Sequence, residues 1–264
     1  MRGERERNCL NRVRDNLREA SIYGLSQKDI DIIENGVFHA APNCEDSKFP
    51  DFIFEGGFIE HFQITSSHTS KKGALHQKGY AHYREETDKG ISEFQKEMNE
   101  HPSFDEVQKR SWCFKQPKHS YENLVKSFES VWVNHIESLK KYSGCSKNGI
   151  FLVEYPEFAL AMCENIYGNV KEGLRYDDLR EQQSFKAYRL SRDKRMLDFL
   201  YGYRELVKYI IYVYCGGCEI INLKHIPELK KLLPWDFAIY PLIVGNVETM
   251  YGISIPNRNN EKPE

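Results

Sequence analysis

An α/β fold is predicted for this 264-residue chain, and three stretches predict it. Residues 51–65 hold two runs rich in Phe and Ile on either side of Gly56-Gly57, the signature of a tight hairpin. Residues 150–155 (IFLVEY) form a continuous apolar run of the kind that fills a strand buried on both faces, and they follow a long amphipathic helical stretch. Residues 209–223 repeat the hairpin signal around Gly216-Gly217. Strand signals alternating with helical periodicity place the chain in the α/β class with a mixed sheet. One domain over 1–264, with 156–200 as a helical insertion, fits this length better than two independent units.

Residues 4–19 carry Leu10, Val13 and Leu17 at helical spacing and read as an amphipathic surface helix. Ser26 with Asp29 three residues on gives a capping-box-like start to a second helix. Ile30 and Ile33 supply its stripe, Asn35-Gly36 its stop signal, and Glu34 lies in its last turn. After the first hairpin the polar stretch TSSHTSKKG leads into a helix from about 74 to 87. Residues 100–118 read as loop. Ser120 caps a long helix whose Leu124, Phe128, Val131, Trp132 and Leu139 recur at helical spacing, so Phe128 and Trp132 are core residues; Gly144 ends it. Residues 168–196 read as a polar, basic helix. A short helix at 227–233, an apolar segment at 237–244 and a polar tail from Pro256 complete the chain.

Apolar residues make up 40% of the sequence and aromatics 13%, enough to fill a sizeable core. The net charge of −2 provides no global field to draw in a polyanion, so nucleic-acid binding would need a local patch. No run of about 18 apolar residues is present to span a membrane, and the N-terminal MRGERERNCLNRVRDNLREA lacks the pattern of a secretory signal. Seven cysteines without framework spacing suit a reducing compartment. The expectation is a cytoplasmic protein with no membrane partner. Neither a GxxxxGK[ST] phosphate loop nor a GxSxG elbow nor an HExxH helix occurs, which argues against a nucleotide-driven motor, a serine hydrolase and a histidine-based zinc hydrolase.

The first hairpin carries the chemistry. With Gly56-Gly57 as the turn, Glu55 faces Phe58, Ile53 faces Glu60 and Asp51 faces Phe62. Period-two alternation then puts Asp51, Ile53, Glu55, Phe58, Glu60 and Phe62 on one face. Asp51 and Glu60 become diagonal neighbours with Cα atoms roughly 7–8 Å apart, a spacing from which two carboxylates reach one hard cation. The alternative is that both acids are solvated residues of an ordinary edge hairpin. Ile53, Phe58 and Phe62 on the same face weigh against it, since carboxylates among apolar neighbours need a partner.

Glu34 on a helix, then Pro50-Asp51, then Glu60 on the next strand, then another helix: this order resembles the core of the PD-(D/E)XK nuclease superfamily. That restriction-endonuclease-like core comprises a helix, a three-stranded meander, a second helix and a further strand. The match covers about residues 26–90, and the helix at 120–142 and the strand at 150–155 are candidate later core elements. The resemblance implies a Mg²⁺- or Mn²⁺-dependent endonuclease acting on DNA in restriction or phage defence, with RNA as the alternative substrate. It equally admits a nuclease-fold protein that binds nucleic acid or a partner without cleaving. Asp51 and Glu60, with Glu34, would hold the metal. A homodimer is compatible, because nucleases that cut both strands often work as dimers.

The family places a lysine two residues after the second acid, where this chain has Phe62. Gln63 resembles the glutamine found there in some members, although strand parity puts it on the face opposite Glu60 unless a bulge intervenes. Lys71, Lys72 or Lys78 could instead return an ammonium from the following loop and helix, and Lys72 is the candidate for catalysis. These three lysines are also candidate phosphate contacts. So are Arg189, Arg192 and Arg195, in a segment (175–195) where seven cationic residues face four acids among interleaved aromatics; a solvated helix is the alternative. His68, His76 and His82 follow the site in sequence and read as a polar helix face or substrate contacts. Cys215-Gly216-Gly217-Cys218 has the spacing of a zinc knuckle, but a hairpin turn explains it and no second pair accompanies it.

Overall fold

A computed structural model describes residues 3–43, 49–67, 69–70, 73–100, 108–115, 119–166, 181–185, 187–233, 236–242 and 245–252. In chain order the elements begin with α1 (Glu4–Asn16), β1 (Ser21–Tyr23), α2 (Gln27–His39), β2 (Ala41–Pro42), β3 (Phe52–Phe54) and β4 (Gly57–Gln63). Next come β5 (Thr69–Ser70), β6 (Gly73–Ala74), α3 (Leu75–Glu100), β7 (Gln108–Lys115), α4 (Tyr121–Lys140) and β8 (Asn148–Glu154). The remainder is β9 (Leu160–Ile166), β10 (Glu181–Phe185), α5 (Lys194–Tyr201), β11 (Tyr209–Tyr214), β12 (Gly217–Asn222), α6 (Ile226–Lys231), β13 (Asp236–Pro241) and β14 (Gly245–Gly252).

These elements divide into two compact units, where the sequence suggests one. The larger comprises 1–66 and 119–242, and the smaller 67–118 and 243–264. The described residues of the expected helical insertion at 156–200 are part strand and part helix: β9 and β10 precede the 3₁₀ turn at 190–192 and α5, and β9 is flanked by β10 and β13 in an antiparallel sheet of the larger unit. In the smaller unit β7, expected as loop, pairs antiparallel with β14. Gly90 of α3 there lies so close to the Trp112 indole that a Cβ would collide with it, and Arg110 packs over Phe94 and pairs with Glu97.

The larger unit is built on a seven-stranded mixed sheet in the order β1-β12-β11-β8-β4-β3-β2. Its middle strands β11, β8 and β4 run parallel, and β8 and β11 are buried on both faces, as continuous apolar runs require. Alternation sorts their side chains into two cores. Ile59, Ile150, Leu152, Tyr209, Ile211 and Val213 meet Cys9, Leu10 and Val13 of α1 and Ile33 and Val37 of α2. On the other face Phe58, Phe62, Phe151, Val153, Ile210 and Tyr212 meet Phe128 and Trp132 of α4, Leu197 of α5 and Ile226 of α6. The result is helix, sheet, helix in three layers.

The start of α2 follows from its sequence, and its end does not. Ser26 and Asp29 form a reciprocal capping box, and Asp29 also accepts from the Tyr209 hydroxyl. Burial tends to raise the Asp29 carboxyl, but its hydrogen bonds with Tyr209 and Ser26 hold it well below the usual carboxylate range. Asn35-Gly36 does not stop the helix, which runs on to His39. Gly36 is needed there for close packing: a Cβ would sit 3.1 Å from the Phe54 ring and 3.2 Å from Ile150.

The first hairpin turns one residue earlier than expected. Phe54 pairs with Gly57, Ile53 with Phe58 and Phe52 with Ile59, so Glu55-Gly56 is the turn and Gly56 takes φ of 81°. Gly57 belongs to the strand, where a Cβ would run into the Asn148 carbonyl and the Phe54 ring. Gly57→Ala should therefore cost about 1–3 kcal/mol in urea unfolding, as an overpacking change. A variant as stable as its parent would contradict this register.

Candidate metal centre

Extending the observed ladder one step past Phe52 and Ile59 sets Asp51 directly opposite Glu60 rather than diagonal to it. The two are interlocked. The Asp51 backbone N–H donates to Glu60 Oε2 at 3.0 Å, and the His61 N–H donates to Asp51 Oδ2 at 2.8 Å. Glu60 lies between Phe58 and Phe62 on the α4 face and is buried. Its other oxygen meets His135 Nδ1 of α4 at 2.6 Å, and the His135 ring stacks on Phe62 with centroids 4.6 Å apart. Burial and then the negative charge of Glu60 push the Asp51 carboxyl up to about 6, against the pull of the His61 N–H.

Across β4 lies a second polar cluster. His61 and Gln63 point to the α1 face, where His61 Nε2 is 3.2 Å from Glu154 Oε2 and Gln63 Nε2 donates to the same oxygen at 2.5 Å. Arg12 Nη1 holds Glu154 Oε1 at 2.8 Å, and Arg5 donates to Gln63 Oε1. Burial works to raise the Glu154 carboxyl. The hydrogen bonds from His61 and Gln63 and the positive charge of Arg12 outweigh it and hold the group below its ordinary range.

The structure thus brings Asp51 and Glu60 together and sends Gln63 to the opposite face of β4, as strand parity requires. Glu34 is not at this site. It is exposed on α2 and lines a recess with Leu17, Arg18, Leu25 and Ile220 of β12, and β11 and β8 separate that strand from β4. Lys71, Lys72 and His68 lie outside the described residues; Lys78 and His76 are on α3 with side chains outside them, and His82 of that helix is exposed.

The basic segment is not one helix. Residues 181–185 are strand and 190–192 a 3₁₀ turn, while 167–180 and 186 lie outside the described residues. Arg189 turns inward, donating to Glu219 at 2.5 Å and to Ser21 at 3.1 Å. Arg192 is half-buried and Arg195 exposed. In the second hairpin Cys215 is exposed in the turn and Cys218 packs in the α1-side core, so the pair serves the hairpin and not a zinc knuckle.

No protein-family model, curated protein or solved structure matches the chain.

Sequence reasoning missed His135, Arg12, Cys9 and Glu154. Two left a signal. His135 follows Trp132 by three residues and so lies on the apolar stripe of its helix, and Glu154 is an acid inside the run IFLVEY. A polar group at such a position requires a buried partner.

Proposed function

We propose that this chain is a divalent-metal-dependent nuclease that hydrolyses phosphodiester bonds of DNA, with Asp51 and Glu60 as its metal ligands. The observation that carries the reading is the facing carboxylate pair, in which the charge of Glu60 helps lift Asp51 to about 6. A carboxylate that burial and a neighbouring acid both push toward its neutral form fits a hard cation, which takes oxygen ligands and offsets that penalty. The element order supports the same reading. With β5, β6, α3 and β7 set aside, the order α2, β2-β3-β4, α4, β8 can be laid beside the helix, meander, helix and strand that the PD-(D/E)XK resemblance implies. The second core helix is then α4, and not the helix beginning near residue 75.

A bound divalent ion would supply Lewis-acid polarisation of the phosphodiester and activation of water. The protein's own groups position that chemistry. The His61 N–H fixes Asp51. The Asp51 N–H and His135 fix Glu60 from two sides. His135 also brings a ring nitrogen to the face where the family has its lysine, because Phe62 at that position carries it by stacking.

Phe62 itself favours a second reading, a nuclease-fold protein that binds nucleic acid or a partner without cleaving. It is buried against Trp132, Phe151 and His135 and offers no charge to a phosphate. Incubation of the full chain with plasmid, single-stranded DNA and RNA, each in Mg²⁺, Mn²⁺ or EDTA, separates the readings. DNA cleavage that EDTA abolishes is expected. Binding without cleavage under every metal would favour the second reading, and cleavage of RNA alone would reassign the substrate.

Protons should compete with metal at Asp51. Because its folded-state pKa lies above the ordinary 3.8, the metal-free fold binds more protons than the unfolded chain between these values, and its stability falls as pH rises through them. Metal requires the ionised form. The rise in Tm on adding Mn²⁺ should therefore grow from pH 5 to about 6 and then level off. A shift that is flat across this range would contradict the assignment.

A further inference from the structure

Beyond the carboxylate pair, and independently of the nuclease reading, we propose that Cys9, His61 and Glu154 form a second cation site, selective for zinc-like transition metals. Three elements supply it: α1, β4 and β8. The thiol, imidazole and carboxylate ligand atoms lie within 4.8 Å of one another, and all three residues are buried. The sheet explains the convergence. Gln63 and Glu154 are register partners of a parallel pair, so His61, two residues before Gln63, shares the face of Glu154. Helix α1 covers that face by burying Leu10 and Val13, which delivers Cys9 to the same spot.

The donor set selects the ion. Sulfur and nitrogen ligands beside one carboxylate suit Zn²⁺, whereas Mg²⁺ takes oxygen. Metal–ligand bonds of about 2.0–2.3 Å in a tetrahedron put neighbouring ligand atoms roughly 3.3–3.7 Å apart. The His61 Nε2 to Glu154 Oε2 separation of 3.2 Å is close to such an edge. Arg12 grips Oε1 of Glu154, and Oε2 faces His61 while also accepting from Gln63 Nε2. A carboxylate oxygen can keep the Gln63 hydrogen bond on one lone pair and ligate a cation with the other, so Arg12 and Gln63 act as outer supports of the kind that orient metal ligands. Binding would replace the Cys9 thiol proton with the cation and release that proton to solvent. His61 belongs to both sites, its ring here and its backbone N–H on Asp51, so filling this site would also fix the residue that holds Asp51.

Titration of reduced, chelator-stripped full-length protein with Co²⁺ tests the proposal. One equivalent should produce the near-ultraviolet charge-transfer absorption of a thiolate–cobalt bond, and Zn²⁺ should bleach it. Cys9→Ser should abolish the band, and Gln63→Ala should weaken binding by roughly 10–100-fold. Asp51→Asn should leave the band in place. Replacing the exposed Cys145 and Cys215 with Ser leaves the core untouched and should also leave the band, which keeps the test valid if Cys9→Ser does not fold. A folded wild type with no band, a band that survives Cys9→Ser, or one lost with Cys145 and Cys215 would overturn the site.

Discussion

Asp51→Asn and Glu60→Gln are each expected to reduce Mg²⁺-dependent cleavage by a factor on the order of 10³ or more, because several kcal/mol of transition-state charge stabilisation depend on the ion these acids hold. The fold should survive. An amide oxygen at position 51 still accepts the His61 N–H, and the Asp51 backbone is unchanged. Asp51→Asn should in fact stabilise the metal-free protein near pH 7, by on the order of 1–2 kcal/mol. The raised carboxyl of Asp51 sets an upper bound on that gain, and partial exposure to water lowers it. Cleavage lost together with a Tm that holds or rises is the expected pattern. Cleavage lost because the variant has unfolded would leave the acids with a purely structural role. His135→Ala should slow cleavage less than loss of either acid, since it removes a group that orients Glu60 and not a ligand.

Arg189→Ala should be among the most destabilising single changes in the larger unit, at about 3–5 kcal/mol. The side chain of Glu219 is 0% exposed. It also accepts from the Ser191 N–H and hydroxyl, but Arg189 is its charge partner, and the guanidinium lies over the Tyr214 ring as well. Removing Arg189 leaves an uncompensated buried carboxylate. Denaturant unfolding of Arg189→Ala beside Arg195→Ala separates the two roles that the sequence merges. Arg195 is exposed, and its loss should leave stability within about 0.5 kcal/mol. If Arg195 contacts phosphate, the slope of log affinity for DNA against log salt should flatten by about one. An Arg189→Ala protein as stable as wild type would contradict the inward role.

How far the sequence could be read depends on the range of the contacts involved. Both Gly-Gly hairpins were legible, and both turn one residue early, at Glu55-Gly56 and at Cys215-Gly216. Three residues compete for two turn positions, and the choice depends on packing that no local pattern carries, such as Gly57 against Asn148. The error leaves the site assignment intact. Moving a two-residue turn by one position moves each partner by two, and alternate side chains stay on the same face. Asp51 and Glu60 therefore share a face in either register, and Gln63 stays opposite.

Long-range placement was not legible. The helix after β4 in sequence belongs to the smaller unit, and α4 follows only after that unit's 52-residue segment (67–118). Helical periodicity says that α3 and α4 have apolar stripes but not which sheet each covers. The positions of His135 and Cys9 depend on the same missing information. Ser66 and His119 mark where the chain leaves the larger unit and returns. Ser66 bonds His119, Tyr155 and Glu157 in a buried knot that no sequence motif announces.

The most direct test of the central claim is a Mn²⁺ titration followed by electron paramagnetic resonance, comparing the wild-type chain with the Asp51→Asn, Glu60→Gln double variant at pH 7. The free-ion signal should fall as wild-type protein takes up Mn²⁺ at the carboxylate pair. It should fall far less for the double variant, and Cys9→Ser should behave as wild type. Equal uptake by the wild type and the double variant, or no uptake by either, would contradict the assignment of Asp51 and Glu60 as the metal-binding pair.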